Sequence, residues 1–404
     1  MRHALFLAWR SLAWYQGRSV TIVLSLAIMM WLPVTVRLVL DQFRTEISSR
    51  AVATPLIVGA RGSRIDLVLH GLYFDTLPPA TVPMQVANEL TEADLGTAIP
   101  LYARYRTQSQ PGVSGAMIVG TSPEYFEFRG LTMESGEMMS LLGECVVGWS
   151  VAQRMGLKAG DPLLSAPENA FDLAGNYPLK IRITGVLARS LSADDDVVFT
   201  DVRTVWVIDG IGHGHQKLNS QTDPGLLLSS ENPKDGTSES LVANASVLPF
   251  TEITEDNIES FHFHGEPDTF PLTAVLMVPH DEKSRVRILG RYSSKDSLVQ
   301  CLKPPDVIDE LLSIVFRIEQ LVWGCSVAAA VVTLLLLTLI VNLTLRLRAA
   351  EMQTLFRIGC SRRTIAVVQT AEILIMLSAA ALTAAIASWL TVRFCSDSIR
   401  TLLF

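Results

Sequence analysis

Residues 321–345 read LVWGCSVAAAVVTLLLLTLIVNLTL and carry no charged side chain. Two further uncharged blocks lie at Ser19–Val36 (SVTIVLSLAIMMWLPVTV) and Ile373–Leu390 (ILIMLSAAALTAAIASWL). At 1.5 Å of rise per residue even an 18-residue helix covers about 27 Å, which crosses a bilayer core with little tilt. The blocks therefore predict three membrane-spanning helices, at 19–40, 321–345 and 373–390. The first fits an uncleaved span better than a signal peptide. It is long for a signal-peptide core, Pro33 and Arg37 follow, and no small-residue cleavage site abuts it; Ala51-Val52-Ala53 lies well beyond its apolar end.

Charge sets the orientation. Residues 1–18 hold Arg2, Arg10 and Arg18 and no acid, and 346–363 hold five arginines against Glu351 alone. The long segment 41–320 holds 22 Lys and Arg against 37 Asp and Glu, a net charge of −15. Positive loops stay cytoplasmic. Residues 1–18 and the 346–372 region are thus predicted inside, and 41–320 and the short tail 391–404 outside. The expected fold class is an α-helical membrane protein of three spans, with a large α+β extracytoplasmic domain inserted between the first and second. The hydrophobic share of 49% argues against a disordered chain, and the net charge of −7 over 404 residues against a nucleic-acid binder. The five cysteines have no C-x-x-C spacing, so neither a cysteine zinc module nor a dense disulfide framework is expected. Cys145 and Cys301 fall on the oxidising side, where a disulfide and two buried free thiols are both open readings.

Within 41–320 the pattern is that of a globular domain. PLIVGA (55–60), IDLVLHGLYF (65–74), AMIVG (116–120), LKIRITGVLA (179–188), FPLTAVLMVP (270–279) and RVRILGRY (285–292) read as strands from their alternation and β-branched content. ECVVGWSVAQRMGLKAGDPL (144–163) reads as strand, short helix and Gly-bounded turn, and DVVFTDVRTVWVI (196–208) as strand into helix. A polar stretch, 209–265, reads as an insertion. VIDELLSIVFRIEQL (307–321), behind Pro304-Pro305, reads as a stalk helix (306–320) feeding the second span.

Catalytic signatures are missing: there is no G-x-x-x-x-G-K-[ST], no G-x-S-x-G and no H-E-x-x-H. The run Asp194-Asp195-Asp196 reads as a solvated turn. The histidines are more distinctive. Four of the seven form two His-x-His pairs, His213/His215 and His262/His264, at the two ends of the polar insertion. In an extended chain residues i and i+2 share a face, so each pair can present two imidazoles together. Four imidazoles, or three with a carboxylate such as Glu266, suit a tetrahedral Zn²⁺ ion. The competing reading is a Gly-rich turn and a strand start whose histidines bond locally.

The inner loop carries another pattern. In RLRAAEMQTLFRIGCSRRTIAVVQTAEI (346–373), Met352, Leu355, Phe356 and Ile358, with Leu345 just ahead of it, form the apolar side of a short amphipathic helix. Gly359 can end that helix in a left-handed conformation, and Ser361 can cap the next. The alternative is an ordinary basic connector. The residues Arg348, Glu351, Leu355, Gly359, Ser361, Arg362, Arg363 and Glu372 resemble the coupling region of FtsX-like, MacB-type ABC transporter permeases. TPLIVGARGS, VGTSPEYFE, VVGWSVAQRMGLKAGDPL and IRITGVLARS are similar to parts of that family's extracytoplasmic domain. The resemblance implies a non-enzymatic permease subunit in a bacterial inner membrane, working with a separate ABC ATPase that holds ATP-Mg and docks on Arg348, Glu351, Leu355, Phe356, Gly359, Ser361, Arg362 and Arg363. It also implies a second permease copy as homodimer partner, contact with membrane lipid, and work on a periplasmic or lipoprotein partner. The family has four spans, whereas 14 residues, 391–404, follow the third block here. A second function class, a membrane-anchored zinc-binding subunit or metal-homeostasis transporter, rests on the histidine pairs.

Overall fold

The computed structural model of the chain describes residues 2–74, 76–166, 178–214, 227–231, 240–243, 251–294, 296–347, 353–354, 356–357, 359 and 361–403. They fall into two compact units, Met1–Ser48 with Asp309–Leu403, and Ser49–Ile308. The chain opens with α1 (Arg2–Trp14) and α2 (Gln16–Val52). The second unit then runs β1 (Leu56–Ala60), α3 (Arg64–Tyr73), β2 (Val82–Pro83), α4 (Gln85–Glu92), β3 (Gly96–Arg106), β4 (Met117–Thr121), α5 (Glu124–Arg129), β5 (Met133–Gly136), β6 (Glu144–Val147), α6 (Trp149–Met155), β7 (Pro162–Leu164) and β8 (Lys180–Leu187). It continues through β9 (Val197–Asp201), α7 (Val202–Ile208), β10 (Gly212–Gly214), β11 (Leu227–Glu231), β12 (Ser240–Ala243), β13 (Phe261–Phe263), β14 (Pro271–Leu272), β15 (Ala274–Pro279), α8 (Glu282–Arg291) and β16 (Val299–Leu302). Two long helices follow, α9 (Pro304–Leu347) and α10 (Arg362–Leu403).

Apolar, β-branched runs build a mixed sheet in the order β16-β1-β15-β3-β4-β9-β6-β8-β5, with β7 also on β8. The β4–β9 and β6–β8 pairs are parallel. Its strands bury side chains on both faces, so they read as near-continuous apolar runs such as Leu56-Ile57-Val58 and Val275-Leu276-Met277. Phe74, Tyr125 and Phe126 meet Phe199 of β9 at ring-centroid distances of 6.4, 5.2 and 5.3 Å. The polar insertion is closed at its base by the β10–β13 ladder and contains the β11–β12 hairpin.

Two segments read as strands are helices. In 65–74, Ser63 accepts a hydrogen bond from the Asp66 amide and starts α3, which buries Leu67, Val68, Gly71 and Leu72 on one helical face. In 285–292, Asp281 accepts from the Ser284 amide and starts α8, with Ser284 and Ile288 buried four apart. Capping outweighed β-branched content in both. The Asp194–Asp196 run is not a solvated turn either. It forms a 3-10 turn, Ala193–Asp196, whose first two carboxylates face inward: Asp194 and Asp195 are both buried. Each has fixed donors, Arg50 for Asp194, the Ser190 and Leu191 amides for Asp195, and Arg154 for Asp196. Cys145 and Cys301 are free thiols. They lie on β6 and β16, separated by five intervening strands or roughly 29 Å of sheet.

In the helical unit, α2 runs to Val52, beyond the expected end at 40, through the helix-compatible Asp41–Arg50 segment. Among the described residues, two helices are long and apolar enough to cross a bilayer, Ser19–Val52 and Arg363–Phe394, and α9 holds a shorter apolar stretch, Trp323–Leu335. Leu12, Ile22, Leu26 and Ala27 pack with Met376, Ala380 and Ala384 of α10. Thr35 Oγ1 donates to Ser388 Oγ at 3.1 Å within the same packed pair.

Candidate functional site

Three imidazoles converge on the β10–β13 ladder. His213 stands directly opposite His262, and His264 follows two residues on, so the pleat puts all three on one face. Ring centroids lie 4.7 Å (His213–His264), 4.9 Å (His213–His262) and 4.9 Å (His262–His264) apart. One ligand nitrogen from each ring falls within 4.8 Å of the others, and His213 Nε2 and His264 Nε2 are 3.3 Å apart. His262 Nδ1 donates to the Ser260 carbonyl at 3.1 Å, which places that ring's lone pair on Nε2. His262 and His264 are exposed and His213 half-buried. Glu266 is exposed and stands outside this group, and His215 lies outside the described residues.

The opposite face explains why the sequence alternates as GHG and FHFHG. Phe261 and Phe263 point away from the imidazoles and lie over Gly214 and Gly212. A Cβ at Gly212 would come within 2.6 Å of the Phe263 ring, and one at Gly214 within 2.7 Å of Phe261. Phe263 packs edge-on to Trp206 at 6.4 Å and tilted against Phe270 at 6.1 Å. Trp206 is itself fixed by its Nε1 hydrogen bond to the Pro271 carbonyl at 2.9 Å. Asp209, at the end of α7 and four residues before His213, accepts hydrogen bonds from the Tyr102 hydroxyl at 2.6 Å and from the Tyr105 hydroxyl. The ladder thus stands on an aromatic and hydrogen-bonded footing rather than on a floppy loop.

A second polar cluster lies buried in the same unit and went unread in the sequence. Arg50 binds Asp194 through two parallel hydrogen bonds of 2.6 and 2.8 Å, and Tyr125 Oη donates to Asp194 at 2.7 Å. Burial by itself would raise the Asp194 carboxyl; the Arg50 guanidinium and the Tyr125 hydroxyl bring it down to about 2. The sequence separation of 144 between Arg50 and Asp194 leaves no local signal for the pair. Its chemistry is that of a fixed ion pair with no reactive group.

On the loop ahead of α10, Gly359 has φ 103°, a left-handed conformation that favours glycine, and its amide donates to the Phe356 carbonyl at 3.0 Å. Ser361 Oγ accepts from the Thr364 amide at 3.2 Å and caps α10, which opens with Arg362 and Arg363. Phe356 and Arg363 are exposed. Arg348, Glu351 and Leu355 lie outside the described residues.

A large mixed α+β body interrupting a set of long apolar helices defines a membrane protein with a periplasmic domain. The model of the MacB-like periplasmic core domain matches residues 19–233. The chain belongs to that family, the MacB/FtsX-like ABC transporter permeases. Three solved structures show partial similarity. One is the extracellular domain of the noncanonic ABC-type transporter YknZ from Gram-positive bacteria, at 9% identity, covering 61% of this chain and 98% of that one, with a TM-score of 0.33. The periplasmic region of MacB from Actinobacillus actinomycetemcomitans gives 12%, 64%, 92% and 0.32. A domain of a putative permease from Porphyromonas gingivalis gives 14%, 62%, 89% and 0.27. No curated protein matches the chain in sequence. The family assignment rests on the sequence match.

Proposed function

We propose that this chain is the permease subunit that converts ATP hydrolysis by a separate cytoplasmic ATPase into movement of its periplasmic domain, for export, lipoprotein or lipid handling, or other envelope work. It crosses the inner membrane three times and pairs with a second copy of itself. The observation that carries the reading is the family match over 19–233. The inner loop supports it: a helical turn ended by Gly359, an exposed Phe356 and an arginine-flanked start of α10 offer a small apolar patch for a soluble partner. The chain has no Walker sequence of its own, so the nucleotide chemistry is assigned to the partner. The test is co-purification from native membranes with an ATP-binding subunit, followed by its ATPase rate in the complex. Phe356→Asp and Gly359→Asp are expected to remove most of the stimulation while leaving the periplasmic domain folded. Full stimulation in both variants would refute the docking assignment.

A further inference from the structure

We infer that His213, His262 and His264 form a binding site for one divalent transition-metal ion of the Zn²⁺ class on the periplasmic domain. The first argument is distance. Two imidazole nitrogens, each 2.0–2.1 Å from a tetrahedral ion, stand about 3.3 Å apart. His213 Nε2 and His264 Nε2 are already at 3.3 Å. One nitrogen from each of the three rings lies within 4.8 Å of the others, so an inward swing of about 2 Å by the His262 ring closes the site. A surface side chain makes such a swing without disturbing the core, and His262 is exposed.

The second argument is chemistry. A ligating histidine characteristically donates its other ring N–H to a carbonyl or carboxylate, which fixes the tautomer and raises ligand basicity. His262 does this through Nδ1 to Ser260 O. In the metal-free ladder one of the two facing Nε2 atoms donates to the other. Ion binding requires both of these rings to carry their proton on Nδ1 instead. An all-imidazole set without thiolate or carboxylate suits Zn²⁺, Cu²⁺ or Ni²⁺; the 3.3 Å spacing is compatible with a tetrahedral edge, the geometry that Zn²⁺ adopts.

The third argument is the cost of building the ladder this way. Packing does not need His262 or His264, because both face solvent. Holding three imidazoles side by side takes Gly212 and Gly214 beneath the phenylalanine rings, and the Trp206, Phe270 and Asp209 footing behind them. Such a rigid support is what a coordinating face demands. The three imidazoles supply three of four tetrahedral positions among the described residues, and the fourth is filled by water, a further side chain or a donor group from a partner.

The full-length chain in detergent, stripped with chelator, is titrated with Zn²⁺ against a chromophoric competitor and separately with Co²⁺ as an optical probe. One ion per chain is expected, with the intense visible bands of four-coordinate Co²⁺, bleached by added Zn²⁺. His213→Ala, His262→Ala and His264→Ala should each weaken Zn²⁺ binding by about 10²-fold or more and remove the bands. His280→Ala should change neither, since that ring pairs instead with Asp94, at 3.5 Å. Metal-free thermal unfolding should be alike in all variants. The inference is overturned if the triple variant retains the parent stoichiometry and affinity, or if Co²⁺ binds in the pale six-coordinate form alone. No ATPase enters this measurement, so its outcome is separate from that of the coupling test.

Discussion

Asp194 is almost wholly enclosed and still ionised, because four side-chain donors reach it: two guanidinium N–H groups of Arg50, the Tyr125 hydroxyl and the Ser192 hydroxyl. A buried pair of this kind adds little over a well-packed apolar pair, but losing one partner strands the other charge. Asp194→Ala should therefore lower stability by about 3–5 kcal/mol, and Arg50→Met added to Asp194→Leu should recover much of that, read by denaturant unfolding followed through tryptophan fluorescence. The pH dependence has a definite sign. Folding takes the carboxyl from 3.8 to about 2, so the unfolded chain binds more protons between those values. The contribution is complete above about pH 4 and fades as pH falls toward 2; Asp194→Asn should flatten that part of the stability curve. The acidic run was legible as sequence but not as structure, since Asp194's partner is supplied by a distant segment. The histidines were easier to read. Their i, i+2 spacing gave the shared face, while the cross-strand pairing of His213 with His262 emerged from the ladder.

At the scale of elements, six of the ten strands of the main sheet, β1, β4, β6, β8, β9 and β15, lie where the apolar runs fall, whereas β3, β5, β7 and β16 were not read as strands. The two mistaken segments share a cause. Short stretches rich in Ile, Val and Leu satisfy strand and helix patterns alike, and the side chain just ahead decides. Ser63 makes that decision for α3 through its hydrogen bond from the Asp66 amide. Ser63→Ala should reduce stability by about 1 kcal/mol, seen as a lower urea midpoint with an unchanged slope; an unchanged midpoint would show that packing alone holds α3. The GHG and FHFHG stretches look like Gly-rich loop sequence until the rings lying over Gly212 and Gly214 give each glycine a reason.

For the whole molecule, the sequence carried the division between apolar helices and an acidic body, because both depend on bulk composition. What it could not carry was the order of a sheet in which β1 lies between β15 and β16, since such pairings join the two ends of the domain. The orientation drawn from charge is open to a direct check. Cys145 is buried and Cys301 partly so, with the Cys301 thiol pushed up to about 12 by burial, so these two should react slowly, and Cys325, Cys360 and Cys395 are replaced by serine for the test. A membrane-impermeant maleimide should label Leu77→Cys, at a site 87% exposed, in intact spheroplasts. It should label Arg363→Cys after the membrane is opened and not before. Early labelling at 363 would reverse the assignment.

The pairing of β1 with β16 has one more consequence. Leu56 comes four residues after α2 ends, Leu302 lies two residues before α9 begins, and the strands holding them are antiparallel neighbours, with Ile57 opposite Leu302. The polypeptide thus enters and leaves the periplasmic body through a single doorway. Bodies with adjoining termini tolerate transplantation. A cut on either side of that doorway lets one relative's body be grafted onto another's membrane helices, so that a lineage can exchange the whole outer body while its membrane anchor stays as it was.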